Sequence, residues 1–187
     1  MANINNSKSD TVISGDYRSA NSIYNYGDNV TINGANYWGD HYIENHGSGT
    51  IIFTGRGYDE IQNYGADSSI HGGAQNDIIY NYEDATNSTL VGGTGDDEIR
   101  NYAANTYIDG NEGNDVIRDY GSNTFIDTDG GSVSGSNSVS AFASNVTVNV
   151  NGGNDTVSAY AGDGTVILGG IRNDKITLVR EFSTNNG

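Results

Sequence analysis

One large aliphatic residue recurs along the chain at an almost constant interval. Val12, Ile23, Ile32, Ile43, Ile52, Ile61, Ile70, Ile79, Leu90, Ile99, Ile108, Ile117, Ile126, Val139, Val148, Val157, Val166 and Ile176 are separated by seventeen gaps, twelve of them nine residues long; the others are 11, 11, 11, 13 and 10. A helix face recurs at three and four residues and cannot give this period. Between the aliphatics lie polar stretches of about six residues rich in Gly, Asn and Asp, which tolerate left-handed backbone angles and make sharp turns.

Two nonapeptide types alternate. One reads GGAQNDIIY from Gly72, GGTGDDEIR from Gly92 and GNEGNDVIR from Gly110; the other reads NYGDNVTIN from Asn25, NYAANTYID from Asn101 and DYGSNTFID from Asp119. A three-residue segment with one inward side chain is a very short strand, because alternate residues face opposite sides. Two strands and two turns make one coil. The pattern therefore predicts an all-β chain, a right-handed parallel β-roll or β-helix solenoid of about nine 18-residue coils, the hand following the rule for parallel crossovers. Residues 1–13 read as an N-terminal cap and partial coil. Residues 14–177 read as repeats with an irregular insertion near 128–140, and 178–187 as a C-terminal tail. ITLVREFSTNNG from Ile176 is dense enough in apolar residues to supply a closing strand.

Composition changes the picture in one respect. The 187 residues carry 24 Asp and Glu against 8 Lys and Arg, a formal charge of −16, with 34% hydrophobic residues, 27 Gly, no Pro and no Cys. Low hydrophobicity with high charge would by itself indicate disorder; the regular aliphatic spacing indicates instead a fold that needs only one apolar residue per half-turn. No disulfide is available to hold it. The charge disfavours nucleic acid and anionic membranes as partners and favours cations. No apolar run approaches the roughly 20 residues that span a bilayer. MANINNSKSD has no apolar h-region, so no N-terminal signal peptide is expected in this chain.

The first nonapeptide type resembles the repeats-in-toxin (RTX) motif, G-G-x-G-x-D-x-U-x with U aliphatic. The best matches are Gly92-Gly93-Thr94-Gly95-Asp96-Asp97-Glu98-Ile99 and Gly110-Asn111-Glu112-Gly113-Asn114-Asp115-Val116-Ile117, with partial matches ending at Asp59, Asp77, Asp155 and Asp174. The resemblance implies a Ca²⁺-loaded β-roll, a non-catalytic module of secreted bacterial proteins, with each ion held between same-side turns by Asp carboxylates and Gly-loop carbonyls. Such hard oxygen ligands suit Ca²⁺. Carried over by position, the implied ligands are Asp59, Asp77, Asp97, Asp115, Asp155 and Asp174 with Gly55, Gly57, Gly72, Gly92, Gly110, Gly113 and Gly153. Pairing neighbours gives about four ions.

The match to the motif is one-sided. In the second nonapeptide type Thr31, Ser69, Thr89, Thr106, Thr124, Thr147 and Thr165 stand for the metal Asp. The first coils hold Asn21 or Ser22 and then His41, and TDGGSVSGSNSVS from Thr128 has no aligned Asp, so the ion column is expected to break between Asp115 and Asp155.

At the opposite turn, Tyr26, His46, Tyr64, Tyr82, Tyr102, Tyr120, Phe142 and Tyr160 occupy one repeat position, with Asn25, Asn45, Asn63, Asn81 and Asn101 just before it. Coils about 4.8 Å apart place such rings at stacking distance and let Asn amides bond from coil to coil. The first reading is a stabilising ladder in place of metal. The second is a carbohydrate-binding strip formed by Tyr64, Tyr82, Tyr102, Tyr120 and Tyr160.

Other chemistry is weakly signalled. His41, His46 and His71 fall at repeat positions, and Glu44, Glu60 and Glu98 flank strand aliphatics and should face solvent, so no catalytic set is expected. Trp38, in the bulge GANYWGDHY, reads as a packing cover over the end of the stack rather than a binding site. The loop column Arg56, Ala74, Thr94, Glu112 and Ile171 is too irregular for ice binding.

The expected function is a calcium-binding structural or spacer module of a secreted or cell-surface bacterial protein, folding with Ca²⁺ and acting as a monomer or as part of a larger chain. A carbohydrate-binding module is the alternative, with polysaccharide as partner, and a small β-solenoid hydrolase or lyase comes after it.

Overall fold

The computed structural model describes residues 2–14, 20–34, 38–129, 135–160 and 164–179, and these contain strands and turns but no helix. The strands fall in two parallel sheets that alternate along the chain. The ten-stranded sheet comprises β1 (Ala2–Asn6), β3 (Asn21–Asn25), β5 (Tyr42–Asn45), β7 (Glu60–Asn63), β9 (Ile78–Asn81), β11 (Glu98–Asn101), β13 (Val116–Asp119), β15 (Ser138–Ala141), β17 (Thr156–Tyr160) and β19 (Lys175–Val179). The nine-stranded sheet comprises β2 (Val12–Ser14), β4 (Thr31–Asn33), β6 (Ile51–Arg56), β8 (Ser69–Ala74), β10 (Thr89–Thr94), β12 (Tyr107–Glu112), β14 (Phe125–Asp127), β16 (Thr147–Gly152) and β18 (Val166–Ile171). The chain is thus an all-β parallel solenoid. β19 is the closing strand expected from the apolar run; residues 180–187 of the expected tail lie outside the described residues, as do 130–134 of the insertion.

Register follows the aliphatics. Ile61 pairs with Ile79, Ile79 with Ile99, and Ile99 with Ile117 in one sheet, while Ile52, Ile70, Leu90, Ile108 and Ile126 pair successively in the other. These side chains are fully buried between the sheets. Each contributes on the order of 2 kcal/mol of burial, which is how a chain poor in apolar residues assembles a core. The coil is a little longer than the expected 18 residues because the register advances by 20 from Ile79 to Ile99 and by 22 from Ile117 to Val139.

The terminal coils correct the sequence register by one residue. Ile13, not Val12, pairs with Ile32 and is buried, while Val12 is 69% exposed. Ile167, not Val166, pairs with Val148. A one-residue shift reverses the face of every side chain in a strand, and here both neighbours are aliphatic, so hydrophobicity alone does not choose between them.

A turn position does. Three residues before each inward aliphatic of the nine-stranded sheet stand Asp10, Asn29, Gly49, Asp67, Asn87, Asn105, Asn123, Asn145 and Gly164, all with φ between 53° and 85°. Asn, Asp and Gly are the residues that accept this left-handed conformation, and counting from them selects Ile13 and Ile167.

Candidate functional site

At the turn entering the ten-stranded sheet, one side chain per coil points inward two residues before the aliphatic. From the N-terminus these are Asn21, His41, Asp59, Asp77, Asp97, Asp115, Asn137, Asp155 and Asp174. Each receives a hydrogen bond on its side chain, or passes one on, along a single column. The backbone N–H of His41 donates to Asp59 Oδ1 at 2.6 Å, Asp59 to Asp77 at 2.8 Å, Asp77 to Asp97 at 2.7 Å and Asp97 to Asp115 at 2.9 Å. The column continues from Asp115 to Asn137 at 2.8 Å, Asn137 to Asp155 at 2.7 Å and Asp155 to Asp174 at 3.1 Å. Asn21 N–H bonds His41 Nδ1 at 3.3 Å. The expected break between Asp115 and Asp155 is therefore not a break in the hydrogen-bonded column. Asn137 fills it, hidden in the sequence by the inserted residues.

Asp59, Asp77, Asp97, Asp115 and Asp155 are at most 2% exposed, and in each the second carboxylate oxygen, Oδ2, is buried with no hydrogen-bond partner. Burial, the largest cause in every case, pushes their pKa upward: Asp77 to about 8, Asp97 and Asp115 to about 7, and Asp59 and Asp155 in the same direction. Leaving a buried carboxylate oxygen unpaired is costly unless a proton or cation meets it.

The glycines preceding these aspartates define where the orphan oxygens point. A Cβ on Gly72 would lie 2.6 Å from Asp77 Oδ2 and 2.7 Å from the carbonyl oxygen of Gly92. A Cβ on Gly92 would strike Asp97 Oδ2 and lie 2.8 Å from the Gly110 carbonyl oxygen, and one on Gly110 would strike Asp115 Oδ2 and lie 2.7 Å from the Thr128 carbonyl oxygen. Three successive coils thus bring a carboxylate oxygen and the next coil's carbonyl oxygen to one small space.

Closer to the Asp, Gly57, Gly95, Gly113 and Gly153 hold φ of 105–141°, a turn that brings the backbone against the coil below. Gly55 has φ 101°. Among the described residues no three acidic or His side chains converge. Any cation here would therefore take two carboxylates at most per interval and complete its shell with carbonyls. All the converging groups are hard oxygen acceptors with no donor among them, which fits Ca²⁺ and not a soft metal.

The other turn is built differently. The buried side chain two residues before each aliphatic of the nine-stranded sheet is Val30, Thr50, Ser68, Ser88, Thr106, Thr124 or Val146. Thr31, Ser69, Thr89 and Thr147, aligned from sequence with the metal Asp, are each one residue further along and on the outer side of the strand. On the opposite side of this turn an amide ladder runs through the molecule. Asn6, Asn25, Asn45, Asn63, Asn81 and Asn101 each donate from Nδ2 to the Oδ1 of the next coil at 2.7–2.8 Å, ending on Asp119 Oδ1.

Beside it the aromatic column stacks as expected. Successive ring centroids from Tyr26 through His46, Tyr64, Tyr82, Tyr102, Tyr120 and Phe142 to Tyr160 are 4.2–6.2 Å apart and within 20° of parallel. Ring faces lie against ring faces, and edges point outward. A second, exposed ladder, which sequence reading missed, runs through the left-handed turn position: Asn87 donates to Asp67, Asn105 to Asn87, Asn123 to Asn105 and Asn145 to Asn123, each at 3.2 Å. Its signal was the Asn or Asp recurring three residues before the aliphatic.

The remaining candidates separate. His41 is in the Asp column and His46 in the aromatic stack, while His71 stacks on Phe53 at 4.8 Å on the outer face of the nine-stranded sheet. Glu44 bonds His46 and Tyr42, Glu98 bonds Arg100 and Arg118, and Glu60 accepts from Gln62. Trp38 is 67% exposed with the Arg56 guanidinium 4.5 Å from its ring centre, so it lies on the flank of the solenoid rather than sealing its end. Arg56, Ala74, Thr94 and Glu112 do line up in register, as chemically unlike neighbours. No protein-family model, curated protein or solved structure matches the chain.

Proposed function

We propose that the chain is a calcium-binding structural module, a spacer of a secreted or cell-surface protein, whose aspartate edge tightens on the ion while the asparagine and tyrosine edge holds the coils without it. One observation carries this reading: in five coils a fully buried carboxylate has an orphaned Oδ2, and in three of them that oxygen faces a carbonyl oxygen across a space that only glycine leaves open. The residues that would hold Ca²⁺ are Asp59, Asp77, Asp97, Asp115, Asp155 and Asp174 with backbone carbonyls of the glycine turns. Bound there, the ion supplies positive charge to oxygens that otherwise repel one another. The carboxylates fix the spacing of the turns through their Oδ1 bonds, and the glycines keep side chains out of the space.

Face-to-face stacking supports the structural reading of the aromatic column over a sugar platform, because the ring faces a sugar would pack on are already covered. A solution test separates the two edges. Adding Ca²⁺ to chelator-treated protein at pH 7.5 should raise the thermal midpoint, and a concentration a hundredfold above Kd should add about 2.7 kcal/mol per site. Hydrogen exchange should slow at the amides of Asp59, Asp77, Asp97 and Asp115 and change little at those of Tyr64, Tyr82 and Tyr102. A midpoint indifferent to Ca²⁺ over this range refutes the proposal.

A further inference from the structure

Three irregularities of the solenoid meet at one junction, between the coil of β13 and that of β15. The register advances by 22 residues there, Asn137 replaces Asp in the inward column, and the buried amide ladder stops: Asp119 stands where Asn is expected, and Ala141 pairs with it from the next coil. The stop is chemically specific.

In each asparagine of the ladder after Asn6, Oδ1 accepts from the preceding Asn and, in all but Asn81, from the N–H two residues on; Nδ2 donates to the next coil and to a nearby carbonyl. Asn101 shows all four bonds, with Nδ2 reaching the Ala103 carbonyl at 2.9 Å and Asp119 at 2.7 Å. Asp119 reproduces the acceptor half. Its Oδ1 takes bonds from Asn101 Nδ2, from Gly121 N–H at 3.1 Å and from the Thr124 hydroxyl at 3.3 Å. By elimination Oδ2 stands in the place of Nδ2. It is buried, in a residue with 0% exposure, and has no partner.

We propose that Asp119 closes the amide ladder as a neutral carboxylic acid, its Oδ2–H standing in for an amide N–H, and that ionisation of Asp119 loosens the junction between β13 and β15. The device is a proton-dependent seam dividing the solenoid into an N-terminal block of coils with the amide ladder and a C-terminal block without it. Groups facing the carboxyl are Asn101 of β11, Ala141 of β15, and Gly121 and Thr124 of its own turn. None is titratable. The neighbouring Tyr120 ring lies in the outer aromatic stack, and the calcium-site aspartates are at the other turn.

Burial raises the Asp119 pKa to about 6 against its hydrogen bonds, which lower it. The folded form therefore holds its proton where the unfolded chain, near 4, has lost it. Stability of the seam is complete below about pH 4 and is lost as pH rises to about 6.

The test is hydrogen exchange on the full chain at saturating Ca²⁺, corrected for intrinsic rates, at pH 4.5 and 7.5, with wild type and Asp119→Asn. Wild-type protection of the β15 amides and of Gly121 should fall by about 25-fold between the two pH values, the part of the full pKa difference that this window spans, and Asp119→Asn should remove most of that fall. A carboxyl-carbon NMR titration of wild-type Asp119 stands independently of how the variant folds and should give a midpoint well above 4.5. A midpoint near 4, or an Asp119→Asn protein that keeps the wild-type step, overturns the proposal.

Discussion

The two turns of each coil solve one problem with different chemistry. Both stack an inward polar side chain on its counterpart in the next coil, and both use a single acceptor oxygen to receive the bond from the coil below. At the asparagine edge the other arm of the side chain is a donor, so each amide satisfies the next and the ladder is complete within the protein. At the aspartate edge the other arm is a second acceptor, left buried and unmatched in Asp59, Asp77, Asp97, Asp115 and Asp155. One NH₂ group per coil separates a self-sufficient edge from one that depends on what the solution provides, a cation or a proton. On the proposed reading, the solenoid keeps its coils registered through one edge while the other responds.

The sharpest way to break the comparison is to make the asparagine edge resemble the aspartate edge. Asn63→Asp removes the donor to Asn81 and introduces a buried carboxylate with no cation beside it. The expected loss is about 3–5 kcal/mol at pH 8, the range for an uncompensated buried charge, partly recovered at pH 4; chemical denaturation at the two pH values measures both. Loss of equal size at both pH values would mean that the amide matters only for its shape.

Next in size is Gly92→Ala on the aspartate edge. The added methyl strikes Asp97 Oδ2 and the Gly110 carbonyl region, and since this glycine has no left-handed φ, the effect comes from space alone. A loss of ~2–3 kcal/mol follows from overpacking, with weakened Ca²⁺ binding at that interval by calorimetry.

The converse exchange, Asp77→Asn, should stabilise the metal-free protein. The folded pKa of Asp77 lies near 8, above its unfolded value, so between pH 4 and 8 the native state holds the extra proton and loses stability as pH rises. Replacing it should gain ~1–2 kcal/mol at pH 8, with the amide offsetting the orphaned oxygen, and nothing at pH 4, while the two proposed calcium intervals that share Asp77 are weakened. Asn137 is the natural example: its Nδ2 donates at 2.8 Å to Oδ1 of the buried Asp129, eight residues earlier in the chain.

Much of this was legible in the sequence, for a physical reason. In a solenoid each column is a repeat position, so period, metal-type aspartates, aromatic stack and asparagine row could be read by alignment of the chain with itself. What failed was whatever the period did not fix. Val12 and Ile13, or Val166 and Ile167, are equally apolar, and only the left-handed turn residues Asp10 and Gly164 identify the inward member. Insertions hid Asn137. Pairing Thr31 with Asp positions placed an outward residue in an inward column that Val30 fills. The difference between Oδ2 and Nδ2 as neighbours, on which the two edges turn, needs atoms and not letters.

The smallest effect tests whether the aromatic stack adds to the amide ladder or merely accompanies it. Tyr82 lies 4.2 Å from Tyr64 and 6.2 Å from Tyr102, so it makes one close stack and one loose one. Aromatic pairs contribute roughly 0.5–1.5 kcal/mol beyond area burial, and the loose contact falls at the bottom of that range. Tyr82→Ala should therefore cost ~1 kcal/mol in denaturant unfolding. Tyr120→Ala, which removes two close stacks, 4.9 Å to Tyr102 and 4.6 Å to Phe142, should cost more. If the two variants lose the same stability, ring spacing is irrelevant and the edge is held by Asn63, Asn81 and Asn101 alone. If Tyr120→Ala loses more, the rings carry part of the cohesion, most of it where the amide ladder has ended and the stack continues from Tyr120 to Phe142.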